Sequence, residues 1–132
     1  MAEPVVDPVA GPLGSVHEAG TVEENEWYLD AIGEPLPLYR ENSWAHPGLL
    51  LRLVYKLLMH NVALGPWIHT SSDCTWLGVA RLPAQMTVHG CVTDVGRRGR
   101  HAEVRYDALV LADDEPVLHV HHTALYRLST AG

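Results

Sequence analysis

The longest apolar segment of the chain lies between residues 45 and 65 and predicts one buried helix. Pro47 is favoured at the first helical position, and Gly65 followed by Pro66 predicts the end of the helix. Its polar positions recur every four residues and form one narrow stripe, made of Arg52, Lys56 and His60. The rest of the helix surface is apolar, so other elements must surround it on most sides.

Four strand-like segments follow the helix, near residues 68–79, 85–95, 100–112 and 116–128. Alternation is clearest in the third, where one face carries Val104, Tyr106, Ala108 and Val110. Short turns at 96–99 and 112–115 join antiparallel neighbours. We therefore predict an α+β fold in which an antiparallel sheet wraps around one long central helix.

The N-terminal part has weaker patterning. Residues 1–14 are rich in Pro and Gly and predict a disordered arm, which leaves 15–132 as one domain. A short strand is expected near 15–22, followed by a helix from a Thr21 cap to Gly33. The Pro-rich segment 33–40 is expected to be irregular.

Composition narrows the function classes. The 132 residues suit a single domain, and a net charge of −7 with nine Lys and Arg argues against a nucleic-acid partner. The N-terminus lacks the basic start of a secretory signal, and the charges within the apolar helix argue against a membrane span. We expect a cytoplasmic protein in which Cys74 and Cys91 are buried thiols.

The element order and several motifs resemble the hotdog-fold MaoC-like acyl dehydratase and (R)-specific enoyl-CoA hydratase family. They are the HPG start of the helix, the run GPWIHTSSD after it, and the segment VTDVGRRGRHAEVRYDALVLADDEPVLHVHHTALYRL. The resemblance covers about Thr21 to Leu128. It implies a hotdog fold and reversible water loss from a 3-hydroxyacyl thioester carried on coenzyme A or a carrier protein, with no other cofactor.

Members of this family carry a G-D-x-x-N-P-x-H-like segment before the central helix, whose Asp and His act on water or substrate. The similar segment here is GEPLPLY, in which Glu34 stands at the Asp position and Tyr39 at the His position. Pro37 is kept, and Leu36 replaces the Asn.

Water loss from such a thioester needs a base, an acid and donors for the charge on the thioester oxygen. We expect Glu34 and His46 to divide the proton transfers, with Tyr39 orienting the oxygen. The N–H of Gly48 is the candidate thioester donor, because a helix start offers unpaired N–H groups. The alternative for His46 and Gly48 is a purely structural helix start.

Further binding residues are predicted after the helix. Trp67 and His69, placed by alternation on the same strand face as Ser71, are candidates to line an acyl tunnel, although strand packing is the alternative. Arg97 and Arg98 could meet coenzyme A or pantetheine phosphates, or form a solvated hairpin tip.

Three nearby histidines, His119, His121 and His122, invite a metal hypothesis, because the first two share a strand face. No acidic or Cys partner follows at a fixed spacing. We therefore expect no metal, and interpret the group as an exposed strand face or a polar ladder at an interface.

A single sheet around one helix leaves strand edges open, which favours a homodimer or higher even oligomer, possibly with a second hotdog subunit. Three functions stay open: an acyl thioester hydratase or dehydratase, a non-catalytic acyl-binding partner subunit, and an acyl thioesterase or cyclase. The order of helix and strands and the GEPLPLY segment make the first the leading hypothesis, and the substitutions at Glu34 and Tyr39 suggest the second.

Overall fold

The computed structural model describes residues 7–129 and consists of a five-stranded antiparallel sheet curled around one helix. The strand order across the sheet is β1-β3-β4-β5-β2. The helices are α1 (Val22–Ile32), α2 (Leu38–Asn42) and α3 (Pro47–Asn61). The strands are β1 (Gly11–Gly20), β2 (Ile68–Trp76), β3 (Ala84–Arg98), β4 (His101–Ala112) and β5 (Glu115–Arg127). The predicted α+β architecture is confirmed.

The central helix α3 begins at Pro47, as predicted, but ends at Asn61 instead of Gly65. The backbone of Val62 is extended, while its N–H still donates to the carbonyl of Leu58 and closes the last turn. Fully buried side chains on α3 include Val54, Leu57 and Leu58. They meet the inner face of the sheet, where the Tyr106 hydroxyl donates to the Val54 carbonyl at 3.0 Å.

The polar stripe of α3 faces the N-terminal elements. Lys56 Nζ lies 2.7 Å from a Glu18 carboxylate oxygen on β1, and Arg52 lies 3.7 Å from Glu24 on α1. Thus the stripe marks the side of the helix that β1 and α1 cover.

Alternation in β4 is confirmed, since Val104, Tyr106, Ala108 and Val110 are all buried. The turn into β5 contains Asp113 and Asp114, both at positive φ, as a two-residue hairpin turn of type I′ requires. The preceding turn is shorter than predicted, because β3 continues to Arg98 and reverses at Gly99, whose φ is +62°.

The first strand is longer than the sequence indicated. β1 pairs with β3 from Gly11, so residues 11–14 belong to the sheet and their assignment to an arm was wrong. Gly11 and Gly14 adopt positive φ, and the register shifts between Pro12 and Gly14, which breaks the alternation that reveals a strand. Residues 1–6 of the predicted arm lie outside the described residues.

Helix α1 is confirmed with both predicted caps. The Thr21 hydroxyl accepts from the Glu24 N–H at 3.1 Å, and Gly33 ends the helix in the left-handed conformation. The prediction that residues 33–40 have no regular structure was wrong at the end of this segment, where Pro37 is the N-cap of the short helix α2. Proline removes no hydrogen bond at that position, because helix starts leave N–H groups unpaired.

A bulge in β2 overturns the predicted strand faces. The register against β5 shifts between His69 and Ser71, so His69 and Ser72 lie on the same side and hydrogen-bond to each other at 2.9 Å.

Among the cysteines, Cys91 is exposed on β3, contrary to prediction, and Cys74 is half-buried. No helix within residues 7–129 has the length and hydropathy that crossing a membrane requires.

Gly90 of β3 lets the sheet approach α3 closely. A Cβ at this position would overlap the Leu57 side chain, whereas a Cβ at Gly96 of the same strand would meet nothing within 4 Å. We expect Gly90→Ala to lower the free energy of unfolding by about 1–3 kcal/mol through overpacking. Gly96→Ala is the matched control. Urea unfolding curves that place both variants at the wild-type midpoint would contradict this packing.

Candidate active site

His46 is the N-cap of α3 and makes a hydrogen bond through each ring nitrogen. Its Nδ1 accepts from the Gly48 N–H at 3.0 Å, so Nδ1 carries no proton in this arrangement. The ring proton of neutral His46 is therefore on Nε2, which lies 3.2 Å from Oε2 of Glu34. The cap thus fixes both the tautomer and the direction of the donor.

Glu34 follows the left-handed Gly33 that ends α1, and this reversal turns its carboxylate toward His46. Its other oxygen, Oε1, accepts from the Leu36 N–H at 3.2 Å. The side chains of Glu34 and His46 are each 17% exposed, so solvent retains some access to the pair. The sequence prediction that these two residues act together has this geometry in its favour.

Asn25, a buried residue of α1, anchors the segment before α3. Its amide nitrogen donates to the Trp44 carbonyl at 2.8 Å, and its Oδ1 accepts from the His46 N–H at 3.0 Å. The segment is also tied to the loop before β3, because the Ala45 N–H donates to the Ala80 carbonyl at 2.8 Å. Asn25 therefore positions the backbone of His46.

Two tyrosines surround the pair. The Tyr39 ring lies 4.9 Å from the His46 ring, so this predicted site residue contacts His46. The ring of Tyr28, a residue of α1, lies 5.5 Å from the His46 ring. The Tyr28 hydroxyl occupies the space where a Cβ of residue 48 would be. Gly48 is required here because any side chain would displace Tyr28.

The predicted thioester donor at the helix start is already engaged. The Gly48 N–H donates to His46 Nδ1, and the N–H groups of Leu49 and Leu50 reach the His46 carbonyl at 2.9 and 3.3 Å. Pro47 has no N–H. The expectation of a free Gly48 donor was wrong in this arrangement, because a histidine N-cap uses it.

A second polar aromatic cluster lies farther along α3, around Tyr55. Its ring is 6.5 Å from Trp67, 5.4 Å from His69 and 5.4 Å from His122, so the two predicted tunnel residues lie together. Burial raises the pKa of Tyr55, with smaller contributions from Cys74 and Tyr28.

Ser72 joins two stacked imidazoles within this cluster. Its Oγ lies 2.9 Å from His69 Nε2 and 2.8 Å from His122 Nδ1, and the two rings stack at 4.4 Å. His122 is 1% exposed, and its Nε2 has no hydrogen-bond partner. Burial, and secondarily His69, lowers the pKa of His122 to about 3, so its imidazole is neutral at physiological pH.

Arg97 and Arg98 lie elsewhere, at the end of β3. They line an open cleft of about 580 Å³ together with Thr70, Glu103 and Arg105, and neither Glu34 nor His46 borders it. The Arg97 guanidinium donates to the Arg100 carbonyl at 3.4 Å. The contact of Arg97 and Arg98 with coenzyme A phosphates remains a prediction.

Sequence reasoning missed several residues of the site. Asn25 and Tyr28 lie on α1 three residues apart, which is one helical face, and that spacing was the signal for them. Ser72 was assigned to the opposite face from His69, because the bulge leaves no mark in the alternation. His122 was grouped with its neighbours, although its side chain points inward.

The architecture is that of the hotdog fold, and the chain is similar to solved hydratases and dehydratases. R-hydratase PhaJ1 from Pseudomonas aeruginosa is 11% identical, with a TM-score of 0.78 over 95% of this chain and 89% of that one. The MaoC-like dehydratase from Rhodospirillum rubrum is 15% identical, with a TM-score of 0.70 over 92% and 94%.

A third similar structure is the HadBC (3R-hydroxyacyl-ACP dehydratase) complex from Mycobacterium tuberculosis, at 12% identity and a TM-score of 0.72 over 91% and 98%. No family model and no curated protein sequence matches the chain. At these identities the likeness establishes the fold that MaoC-like dehydratases and (R)-hydratases share.

The buried His122 predicts a pH dependence of stability. The unfolded chain protonates this residue near pH 6.5, whereas the folded chain does so only near pH 3. Between these two pH values unfolding takes up a proton. The free energy of unfolding therefore falls as the pH is lowered from 6.5, by at most about 1.4 kcal/mol per pH unit. Urea unfolding at pH 6.5 and 5.0 measures this slope.

The slope should become shallower in His122→Gln and stay unchanged in His89→Gln, whose side chain is exposed on β3. Equal slopes in all three proteins would contradict the burial of a neutral His122.

Proposed function

We propose that this chain is an acyl thioester hydratase or dehydratase of the MaoC-like type, acting at the start of α3. The observation that carries the proposal is the hydrogen bond between His46 Nε2 and Glu34 Oε2, within a fold shared with (R)-hydratases. Glu34 stands at the Asp position of the family segment, and its partner His46 lies outside that segment, at the start of α3.

The tautomer of His46 divides the work between the two residues. A neutral imidazole that accepts at Nδ1 could donate its Nε2 proton only by becoming an anion, which is unfavourable. Glu34 is therefore the residue that transfers the proton of the attacking water. Its carboxylate takes this proton as the water oxygen bonds to C3 of the enoyl thioester. The electron pair moves onto the thioester oxygen as an enolate, and the Glu34 carboxyl then returns the proton to C2. His46 is a positioning residue that holds the carboxylate.

The enolate oxygen needs a donor, and the Gly48 N–H is engaged by His46. The Tyr28 hydroxyl lies over Gly48 at the same helix start and is the donor we assign to this oxygen. Tyr55, Trp67 and His69 lie together in the cluster farther along α3, and we assign them to the border of the acyl chain. This cluster contains Trp67 and His69, which the sequence predicts to line an acyl tunnel.

Loss of the carboxylate should remove the activity. We expect Glu34→Gln to lower kcat for hydration of crotonyl-CoA by about 10²–10⁴-fold, the usual contribution of an acid-base group. His46→Asn should retain more activity than His46→Ala, because an asparagine N-cap can accept from the Gly48 N–H. Absorbance of the enoyl thioester measures turnover, and circular dichroism verifies folding.

Absence of turnover by the wild-type protein with enoyl and 3-hydroxyacyl thioesters of increasing chain length would overturn the proposal. Equal activity of His46→Asn and His46→Ala would contradict the positioning role.

The Tyr28 assignment has its own test. Tyr28→Phe keeps the ring beside His46 and removes only the hydroxyl, so we expect kcat to fall by about 10²-fold, as when one oxyanion donor is lost. Tyr39→Phe is the matched control, because the Tyr39 ring contacts His46 from another element. If Tyr39→Phe loses more activity than Tyr28→Phe, the donor assignment is wrong.

A non-catalytic partner subunit is the second candidate function. Every N–H in the first turn of α3 already has an acceptor within the protein. This favours a partner subunit, because a subunit that only binds the thioester needs no donor for an enolate. In that case the purified chain binds acyl thioesters without turnover, and Glu34→Gln leaves the binding unchanged.

We also infer that a second hotdog chain covers the β2 edge. β2 is an outer strand of the sheet, and several large apolar side chains in and after it are about half exposed: Ile68, Trp76, Leu77 and Val79. An edge strand with such side chains is a pairing site. Light scattering of the purified chain distinguishes a homodimer from a monomer that awaits a different subunit.

A further inference from the structure

The outer face of the sheet brings together three side chains that sequence spacing does not relate. Asp107 of β4 lies directly opposite His121 of β5, and His119 lies two residues along the same face of β5. The carboxylate of Asp107 and Nδ1 of His121 are hydrogen-bonded. One potential ligand atom from each of the three residues lies within 4.8 Å of the other two.

Two imidazoles and one carboxylate are a typical donor set for Zn²⁺ with three protein ligands and one open position. Zn²⁺ bonds to such atoms measure about 2.0–2.2 Å, so the three groups must move together slightly to share an ion. Their freedom permits this, since the His121 side chain is 60% exposed and the Asp107 side chain 32% exposed.

The surrounding charges favour a cation. Asp73 of β2 is the cross-strand neighbour of His121 on its other side, and it borders the same cleft of about 220 Å³ as Asp107. Arg105 also borders this cleft, but its guanidinium lies 3.4 Å from a Glu103 carboxylate oxygen, which offsets its charge.

We propose that Asp107, His119 and His121 bind a Zn²⁺ ion on the outer face of the sheet, separate from Glu34 and His46. The sequence argued against a metal because no acidic residue follows the histidines at a fixed spacing. The register between β4 and β5 supplies that residue. His122, the third histidine of the sequence hypothesis, points into the core and takes no part.

The test is calorimetric titration of chelator-treated protein, freed of any affinity tag, with ZnCl₂ and in parallel with MgCl₂. We expect one Zn²⁺ per chain and no Mg²⁺, which prefers oxygen ligands. His119→Ala and Asp107→Asn should each weaken Zn²⁺ binding by about 100-fold or more, beyond the ~10–100-fold typical of losing an outer-shell partner.

His89→Ala is the matched control. His89 and His17 form another histidine pair on the sheet, at 6.2 Å between rings, but belong to no such three-residue group among residues 7–129. This variant should bind Zn²⁺ like the wild type. No stoichiometric heat with ZnCl₂, or equal weakening by His89→Ala and His119→Ala, would overturn the proposal. Unchanged melting temperatures of the metal-free variants exclude misfolding as the cause.

Discussion

The hydrogen bond from the Gly48 N–H to Nδ1 of His46 constrains most of the candidate site. It caps the central helix, and it requires that the proton of the neutral ring be on Nε2. That proton then lies toward Glu34, whose carboxylate depends on it for orientation. The same bond engages the N–H of Gly48, which is why the proposed reaction assigns the enolate donor to Tyr28. Capping, tautomer and proposed chemistry are thus consequences of one contact.

The sheet supplies the rigid frame that keeps this contact in place. An apolar helix such as α3 must be covered, and the curled sheet does so by approaching it closely at Gly90 and by a hydrogen bond from Tyr106 to Val54. Asn25 then fixes the entry of the chain into α3 from the opposite side. The helix start is thereby held between the sheet and α1, and the pair of Glu34 and His46 lies at that junction.

Local signals in the sequence predicted the elements on which the site depends. Pro47 marked the start of α3, and Thr21 with Gly33 marked both ends of α1, because capping is decided within a few residues. The pairing of Glu34 with His46 was anticipated from the family resemblance, which put Glu34 at the Asp position, together with the proton transfers that the reaction needs. The second tyrosine, Tyr28, was missed, because its place over Gly48 depends on how α1 packs across α3.

Long-range register explains the other differences. Positive φ at Gly11 and Gly14 concealed the start of β1, and the bulge between His69 and Ser71 exchanged the faces of Ser72 and its neighbours. Asp107 meets His121 only through the pairing of β4 with β5. The bulge and the contact of Asp107 with His121 leave no periodic trace in one strand, since each depends on two segments far apart in the chain.

The most direct test is the tautomer of His46, obtained from two-bond ¹H–¹⁵N correlations of the imidazole at neutral to mildly alkaline pH. We expect an unprotonated Nδ1 and a protonated Nε2 for this ring. We also expect Glu34→Gln to leave the Nδ1 signal in place and to move the Nε2 signal. A proton on Nδ1 of the neutral ring would contradict the helix cap, the orientation of Glu34 and the mechanism that rests on them.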